Sequence, residues 1–216
     1  MFETIQGEGV HTGLPSIFVR LQGCPVGCPW CDTKHTWTLD DAFLTSADAV
    51  LAKQQESEHF FDADEHALLS LFIRRGYQAK HVVITGGEPC MYDLVPFTRL
   101  LHNNGYSSQI ETSGTYEIKC DDATWVTVSP KVDMKGGLPV LDSALRRADE
   151  IKHPVAMQKH IDELDQLLHR LGDKKPAHIC LQPISQQQRA TDLVIKTCIQ
   201  RNWRLSLQTH KYIGIE

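Results

Sequence analysis

The sequence predicts an α/β protein built on a mainly parallel sheet, and three observations indicate this class. Short segments rich in β-branched and apolar residues alternate with helical segments along the chain. A polar motif follows each predicted strand. The 216 residues suffice for one sizeable core, and no change of composition marks an internal linker. We therefore predict a single domain over residues 1–216.

The predicted elements follow one another in a regular order. The first strand covers residues 16–21, and Gln22-Gly23 ends it. The polar segment 38–78 is predicted to be a solvated helical insertion, whose second half carries apolar residues at helical spacing and ends near Gly76. Strands are then predicted at residues 81–85, 109–112, 125–129, 178–182 and 203–208, and helices near residues 94–103, 142–150, 162–171 and 190–202. About six strands are too few for a closed barrel of eight strands and roughly 250 residues.

Composition and charge exclude several classes of protein. The net charge is -5 and the basic residues are dispersed, so we expect no nucleic-acid partner. No apolar run approaches the length of a membrane span, and Met1 is not followed by a charged and then apolar leader. Seven cysteines, an odd number, argue against a disulfide framework and for a reducing compartment. We expect a cytoplasmic protein with no membrane contact.

Three cysteines form the most informative motif of the chain. Cys24, Cys28 and Cys31 are spaced C-x3-C-x2-C in the loop that follows the first predicted strand. Three thiolates can hold three irons of a 4Fe-4S cluster and leave the fourth iron open to a reactant. Zinc is the alternative, but a structural zinc site usually has two ligand pairs, and His35 is the only nearby donor that could complete one. The residues alone favour the cluster and leave zinc open.

The polar motifs share one position relative to the strands. They follow the carboxyl ends of the six predicted strands, at residues 24–33, 86–89, 111–114, 129–131, 182–183 and 208–211. In barrel-like α/β folds these ends share one rim, which carries the active site. The six motifs are therefore predicted to converge on one cavity.

These motifs resemble a known family. The cysteine spacing, together with Gly-Gly-Glu-Pro at residues 86–89, is similar to that of radical S-adenosylmethionine enzymes. The strings at residues 6–9, 31–33, 84–89, 111–114, 128–131 and 208–211 resemble those of the 7-carboxy-7-deazaguanine synthases. The resemblance runs nearly end to end and is weakest over residues 38–78, which are variable in such enzymes. It implies a partial (β/α)6-type radical SAM barrel.

The resemblance also implies a reaction and its cofactors. The family rearranges 6-carboxy-5,6,7,8-tetrahydropterin to 7-carboxy-7-deazaguanine with loss of ammonia, in queuosine biosynthesis. Removing hydrogen from an unactivated C–H bond is beyond acid–base side chains, so a cofactor radical performs it and no catalytic side chain is expected. The implied cofactors are a 4Fe-4S cluster, S-adenosylmethionine and Mg²⁺. The family further suggests a homodimer and an electron donor such as flavodoxin.

Residue roles are carried over by position. The resemblance assigns the cluster to Cys24, Cys28 and Cys31, and Mg²⁺ to Thr33. It assigns S-adenosylmethionine to Gly86, Gly87, Glu88, Ser129, Pro130, Lys131 and Gln182, and the pterin to Ile5, Gln6, Gly7, Arg20 and Thr85. Glycines let a ligand approach the backbone closely, and Glu88 can accept a hydrogen bond from the methionine amino group. Arg20 should point away from its strand neighbours and into the cavity.

Several points stay open at this stage. Without the family, an outward-facing Arg20 is equally acceptable. Glu8, His210 and Lys211 lie at the rim, and we assign them no role. A related radical enzyme that activates a glycyl-radical partner would use the same cysteines, but would need neither Thr33 nor the segment at residues 6–9. A non-catalytic zinc module is the third class.

Overall fold

An open eight-stranded sheet forms the frame of the protein. The computed structural model describes residues 1–184 and 187–215. The strands are β1 (Phe2–Ile5), β2 (Pro15–Leu21), β3 (His81–Gly86), β4 (Ser107–Thr112), β5 (Trp125–Val128), β6 (Glu150–Val155), β7 (His178–Pro183) and β8 (Arg204–Leu205). Each strand pairs with the next along the chain; β1 and β2 are antiparallel and all later pairs are parallel. The fold class predicted from the sequence is confirmed.

Five helices pack against one face of this curved sheet: α2 (Glu65–Arg74), α3 (Val95–Asn103), α4 (Asp142–Arg147), α5 (Gln158–Leu171) and α6 (Gln188–Arg201). The short helices α1 (Ala47–Leu51) and α7 (Thr209–Ile213) bury no residue. In α5, Ile161, Leu164 and Leu168 recur at helical spacing and are buried, and Gly172 with a positive φ of 58° ends the helix. None of the helices in the described ranges combines the length and apolar character that a membrane span requires.

The core lies between the helices and the outer face of the sheet. One cluster joins β2–β4 to α2 and α3 around Ile17, Phe72 and Leu101, and the other joins β5–β7 to α4–α6 around Ile151 and Leu164. Because successive side chains of a strand point to opposite faces, the residues between these apolar positions face the inside of the curve. That inner face is polar, and it leads to the carboxyl-end rim.

Two strands were absent from the sequence prediction. The helix predicted over residues 142–150 ends at Arg147, because Ala148 is extended and Asp149 donates its amide to the carbonyl of Val126 at 2.9 Å. The chain then enters β6, whose Pro154 weakens the strand signal. The four-residue β1 is the other missed strand. The last predicted strand, over residues 203–208, is reduced to the two residues of β8.

Candidate functional site

A cavity of about 1570 Å³ opens at the carboxyl ends of the parallel strands. This exceeds the roughly 300–1,000 Å³ typical of one small-molecule site, so two ligands fit side by side. Residues at or after the carboxyl end of every strand from β1 to β8 contribute to its wall; they lie at positions 6–8, within 22–37, and at 86–88, 112, 113, 129, 131, 154, 184, 208, 210 and 211. Among the described residues, the predicted convergence of the polar motifs is therefore seen.

The cysteine loop closes on itself beside this cavity. The amide of Gly23 donates to the carbonyl of Thr36 at 2.8 Å, and the amide of Cys24 donates to Trp37 at 3.0 Å, so both ends of the loop are held together. The three cysteines are free, and burial raises the pKa of the Cys24 and Cys28 thiols above its ordinary value. A bound metal would lower the pKa of these thiols again, because a thiol that coordinates a metal is deprotonated.

The donor set of this loop fits an iron–sulfur cluster better than zinc. Within the described ranges, no group of three or more His, Cys, Asp or Glu side chains is arranged to hold a single metal ion. His35 Nδ1 lies 3.3 Å from Glu56 Oε2 without hydrogen-bond geometry. The loop itself offers three thiols, which matches a cluster with one open iron.

Thr33 lies between the cysteine loop and the glycine loop after β3. Its Oγ1 is 3.6 Å from Cys31 Sγ and donates to the carbonyl of Gly86 at 3.5 Å. The hydroxyl is therefore within reach of both ligands that the two loops would hold.

The two glycines after β3 are required by the protein's own backbone. Gly86 has a φ of +110°, and a Cβ there would lie 2.4 Å from the amide nitrogen of Leu21. A Cβ on Gly87 would lie 2.1 Å from the carbonyl oxygen of Gly23. We predicted these glycines from the approach of a ligand, whereas the structure shows that a side chain at either position would already collide with the backbone of residues 20–23.

Glu88 lies on the cavity wall, and a hydrogen bond from the methionine amino group to its carboxylate stays a prediction. The carboxylate is largely buried: Oε1 accepts from Cys90 N at 3.0 Å and Thr112 Oγ1 at 2.5 Å, and Oε2 accepts from Ser113 N at 2.8 Å and from the Ser113 hydroxyl. Four donors occupy the carboxylate, so Glu88 fastens the loops after β3 and β4 to each other.

A buried ionic cluster lies on the inner face of the sheet. Lys152 Nζ donates to Glu8 Oε2 at 2.6 Å and to Glu111 Oε2 at 2.9 Å, and Gln6 Nε2 donates to Glu111 Oε1 at 3.0 Å. Burial alone would lower the pKa of Lys152, but Glu111 and Glu8 together raise it above its ordinary value. Burial alone would raise the pKa of Glu8, but Lys152 and Gln208 hold it at about 2. The cluster carries two negative charges and one positive charge.

Sequence reasoning missed most of this ionic cluster. Glu8 was named without a role, Glu111 appeared only inside a motif, and Lys152 was not considered because residues 151–161 were assigned to no element. The available signal was alternation: Glu150, Lys152 and Pro154 face inward in β6, while Ile151 and Val155 join the core.

The predicted pterin-contacting residues all lie on the cavity wall: Ile5, Gln6, Gly7, Arg20 and Thr85. Gln6 is 2 % exposed, and its Oε1 accepts from the amide of Glu8 at 3.1 Å. A Cβ on Gly7 would lie 2.3 Å from His210 Nδ1, so the packing of α7 excludes any larger residue there. The guanidinium carbon of Arg20 lies 5.2 Å from the centre of the Phe2 ring, on the cavity side of β2.

Three of the remaining predicted S-adenosylmethionine contacts, Ser129, Lys131 and Gln182, also lie on the cavity wall. Lys131 Nζ donates to Ser129 Oγ at 2.7 Å, and burial lowers the pKa of Lys131. Gln182 Nε2 donates to Glu8 Oε1 at 3.5 Å. Pro130 is buried and is not part of the wall, which corrects its predicted role as a contact. Lys211 forms an ion pair with Asp32 at 3.6 Å and so ties α7 to the cysteine loop.

Comparisons with known proteins agree with this geometry. Residues 5–121 match a family model described as a 4Fe-4S single cluster domain. The 7-carboxy-7-deazaguanine synthase of Escherichia coli (strain K12) is 60% identical over 215 residues, which covers 100% of this chain and 96% of that protein. The synthase of Buchnera aphidicola is 45% identical with the same coverage. A crystal structure of QueE from Escherichia coli superposes with a TM-score of 0.94 at 59% identity, covering 96% of this chain and 91% of that one.

Proposed function

The chain belongs to the 7-carboxy-7-deazaguanine synthase family, and we propose that it rearranges 6-carboxy-5,6,7,8-tetrahydropterin to 7-carboxy-7-deazaguanine and ammonia, in queuosine biosynthesis. It is a radical S-adenosylmethionine enzyme with a 4Fe-4S cluster domain. One observation carries the proposal: the cysteine loop and the buried cluster of Glu8, Glu111 and Lys152 border the same cavity. The site that would generate the radical and the polar site that would bind the substrate therefore lie in one cavity.

The chemistry of the reaction explains what the side chains must do. Substrate and product differ by one molecule of ammonia, so the rearrangement needs no net oxidant or reductant. When bound, the cluster and S-adenosylmethionine supply the radical that removes hydrogen from carbon. The protein must bind both ligands, orient them and exclude water from the cavity.

We assign the chain's residues to these tasks as follows. Cys24, Cys28 and Cys31 would hold the cluster as thiolates, and Ser129 and Lys131 would contact the nucleoside. Gln6 and Glu111 suit the amide edge of a pterin, since carboxylate and amide oxygens accept from ring N–H groups and the amide nitrogen donates to a carbonyl. Arg20 suits the substrate carboxylate, because a guanidinium fits a carboxylate with two parallel hydrogen bonds.

Thr33 is our proposed protein ligand of Mg²⁺. The support is its position, with Oγ1 3.6 Å from Cys31 Sγ and 3.5 Å from the Gly86 carbonyl. Mg²⁺ keeps several waters and commonly takes only one or two protein ligands when an anionic substrate completes its shell. The metal would orient the substrate carboxylate opposite Arg20.

We further propose a homodimer, an electron donor such as flavodoxin, and a cytoplasmic location. The side chains of Ile199, Tyr212 and Ile213 on α6 and α7 are 78%, 60% and 63% exposed, which supports a second copy as their cover. The seven cysteines all lie in the described ranges and are free thiols, as a reducing compartment would keep them.

A turnover assay tests the proposed function directly. Anaerobically reconstituted protein is given the carboxylated tetrahydropterin, S-adenosylmethionine, Mg²⁺ and dithionite. We expect 7-carboxy-7-deazaguanine and equimolar ammonia by mass spectrometry, with S-adenosylmethionine largely retained. Fully loaded protein that forms neither product would contradict the proposal, and glycyl-radical formation on a partner would favour the alternative enzyme class.

A further inference from the structure

Residues 53–61 form a wall of the active-site cavity. The sequence predicted this stretch to be part of a solvated insertion, but residues 53–57 and 59–61 all line the cavity together with Arg20 and the cysteine loop. An isolated β-bridge between Leu44 and Phe60 attaches this stretch to the preceding chain. In it, Thr45 N donates to the Phe60 carbonyl at 2.8 Å, and Phe60 N donates to the Phe43 carbonyl at 3.1 Å. The position of this wall relative to bound ligands therefore depends on the contacts that attach it to the sheet.

Gln22 is the side chain that makes this connection. Its Nε2 lies within hydrogen-bonding distance of three carbonyl oxygens: His35 at 3.0 Å, Thr38 at 2.7 Å and Glu58 at 3.4 Å. An amide nitrogen has two hydrogens, so the three carbonyls share them. His35 and Thr38 border the closed base of the cysteine loop, whereas Glu58 belongs to the wall. One amide thus joins both segments to the end of β2.

Two further contacts join the wall to residues 35–38 at the base of the cysteine loop. Thr38 Oγ1 donates to Glu58 Oε1 at 2.9 Å, and His35 Nδ1 lies 3.3 Å from Glu56 Oε2. On the other side, the hydroxyl of Tyr92, which follows the glycine loop, donates to the Gln22 carbonyl at 2.6 Å. Gln22 also lies midway in sequence between Arg20 and Cys24. It occupies the junction of the cluster loop, the glycine loop and the wall.

We propose that Gln22 is a positioning residue, which holds the wall of residues 53–61 against the base of the cysteine loop and so closes the substrate cavity. This inference rests on the proposed function, because a reactive carbon radical must be kept from water and its substrate must be held in one orientation. Gln22 itself contacts no reacting atom in this role. Its loss loosens the wall and leaves the thiols and the sheet in place, since the loop keeps its two backbone hydrogen bonds to Thr36 and Trp37.

The test compares Gln22→Met, which keeps the length and removes the donors, with Gln78→Met, an exposed glutamine that donates only to the Gly76 carbonyl at 2.8 Å. Four readouts are measured: iron content, the rate of proteolytic cleavage within residues 53–61, KM for the pterin, and the ratio of 5′-deoxyadenosine to product. Losing one or two hydrogen bonds should raise KM about 5- to 30-fold. Cleavage in the wall should accelerate, the ratio of 5′-deoxyadenosine to product should increase, and iron content should stay that of wild type.

Gln78→Met should match the wild type in every readout. Unchanged cleavage and an unchanged KM in Gln22→Met would overturn the proposal. If Gln22→Met does not fold, Thr38→Val provides the test, because it removes only the hydroxyl that donates to Glu58. It should shift the same readouts in the same direction by a smaller amount. No shift would overturn the proposal. Proteolysis needs no turnover, so a wild-type enzyme that makes no product would contradict the proposed function while leaving this readout intact.

Discussion

The cysteine loop and the buried ionic cluster border the same cavity, but they are built in opposite ways. The loop's three thiols come from a short stretch of chain, whose ends are joined by two backbone hydrogen bonds. In the ionic cluster, Lys152 meets Glu8 across 144 residues of sequence and Glu111 across 41, at 2.6 and 2.9 Å. The loop takes its ligands from neighbouring residues, whereas the sheet brings the members of the ionic cluster together from distant parts of the chain.

The largest expected effect is on the cysteine loop. Cys28→Ala should remove the cluster and all turnover, since two thiolates cannot hold it. Iron and sulfide content of anaerobically purified protein, together with product formation, measure this. Cys120→Ala, a half-buried cysteine outside the loop, should keep both. An active Cys28→Ala enzyme would show that the cluster, if present, is held by other residues.

The ionic cluster should respond in stability as well as in turnover. Lys152→Met leaves Glu8 and Glu111, whose side chains are 15% and 19% exposed, without their counter-charge, which should lower the free energy of unfolding by about 3 kcal/mol, the low end for breaking a buried pair. Lys159→Met removes an exposed ion pair to Glu163 and should cost less than about 1 kcal/mol. Urea unfolding of the two variants compares them. Equal losses would mean that the buried cluster contributes no more than a surface pair.

The pH dependence of stability sharpens the same contrast. The pKa of Glu8 is about 2 in the folded protein against 4.5 for a free glutamate, so the unfolded chain binds a proton first as pH falls. Its contribution to stability is therefore present above about pH 4.5 and is lost progressively towards pH 2. The unfolding temperature should fall more steeply over this range in wild type than in Lys152→Met. Parallel curves would contradict the low pKa.

Arg20 tests the pterin end of the cavity. Arg20→Ala should cost about 2–5 kcal/mol of binding or transition-state stabilisation if the guanidinium pairs with the substrate carboxylate. Steady-state kinetics with the pterin as variable substrate measure it, and Arg74→Ala on the exposed face of α2 serves as the control. Unchanged KM and kcat in Arg20→Ala would assign the carboxylate to another residue.

The smallest change is at Thr33. Thr33→Val keeps the shape and removes the hydroxyl, so the affinity for Mg²⁺ should fall by at least about tenfold, by analogy with the loss of an outer-shell partner. Turnover at a series of Mg²⁺ concentrations measures this, and iron content should stay unchanged. A variant with the wild-type Mg²⁺ response would place the metal on other ligands.

Much of the fold and the rim could be predicted from local patterns. Strand character before Gln22, helical spacing before Gly76 and the alternation of strands with helices depend on neighbouring residues, and they led to the correct class. The cysteine spacing and the Gly-Gly-Glu-Pro string each lie within a single loop, so both motifs could be recognised from the sequence. The short β1 and the Pro-containing β6 were missed because their pairing partners, not their own propensities, make them strands.

The sequence by itself determined the fold class and the chemistry of the cysteine loop, because both depend on residues that are close together in the chain. Only the tertiary structure decided that Glu88 is occupied by four donors, that Lys152 joins Glu8 to Glu111, and that residues 53–61 form a wall. Each of these outcomes depends on groups far apart in sequence, whose charges and donors must be paired once burial removes water from them.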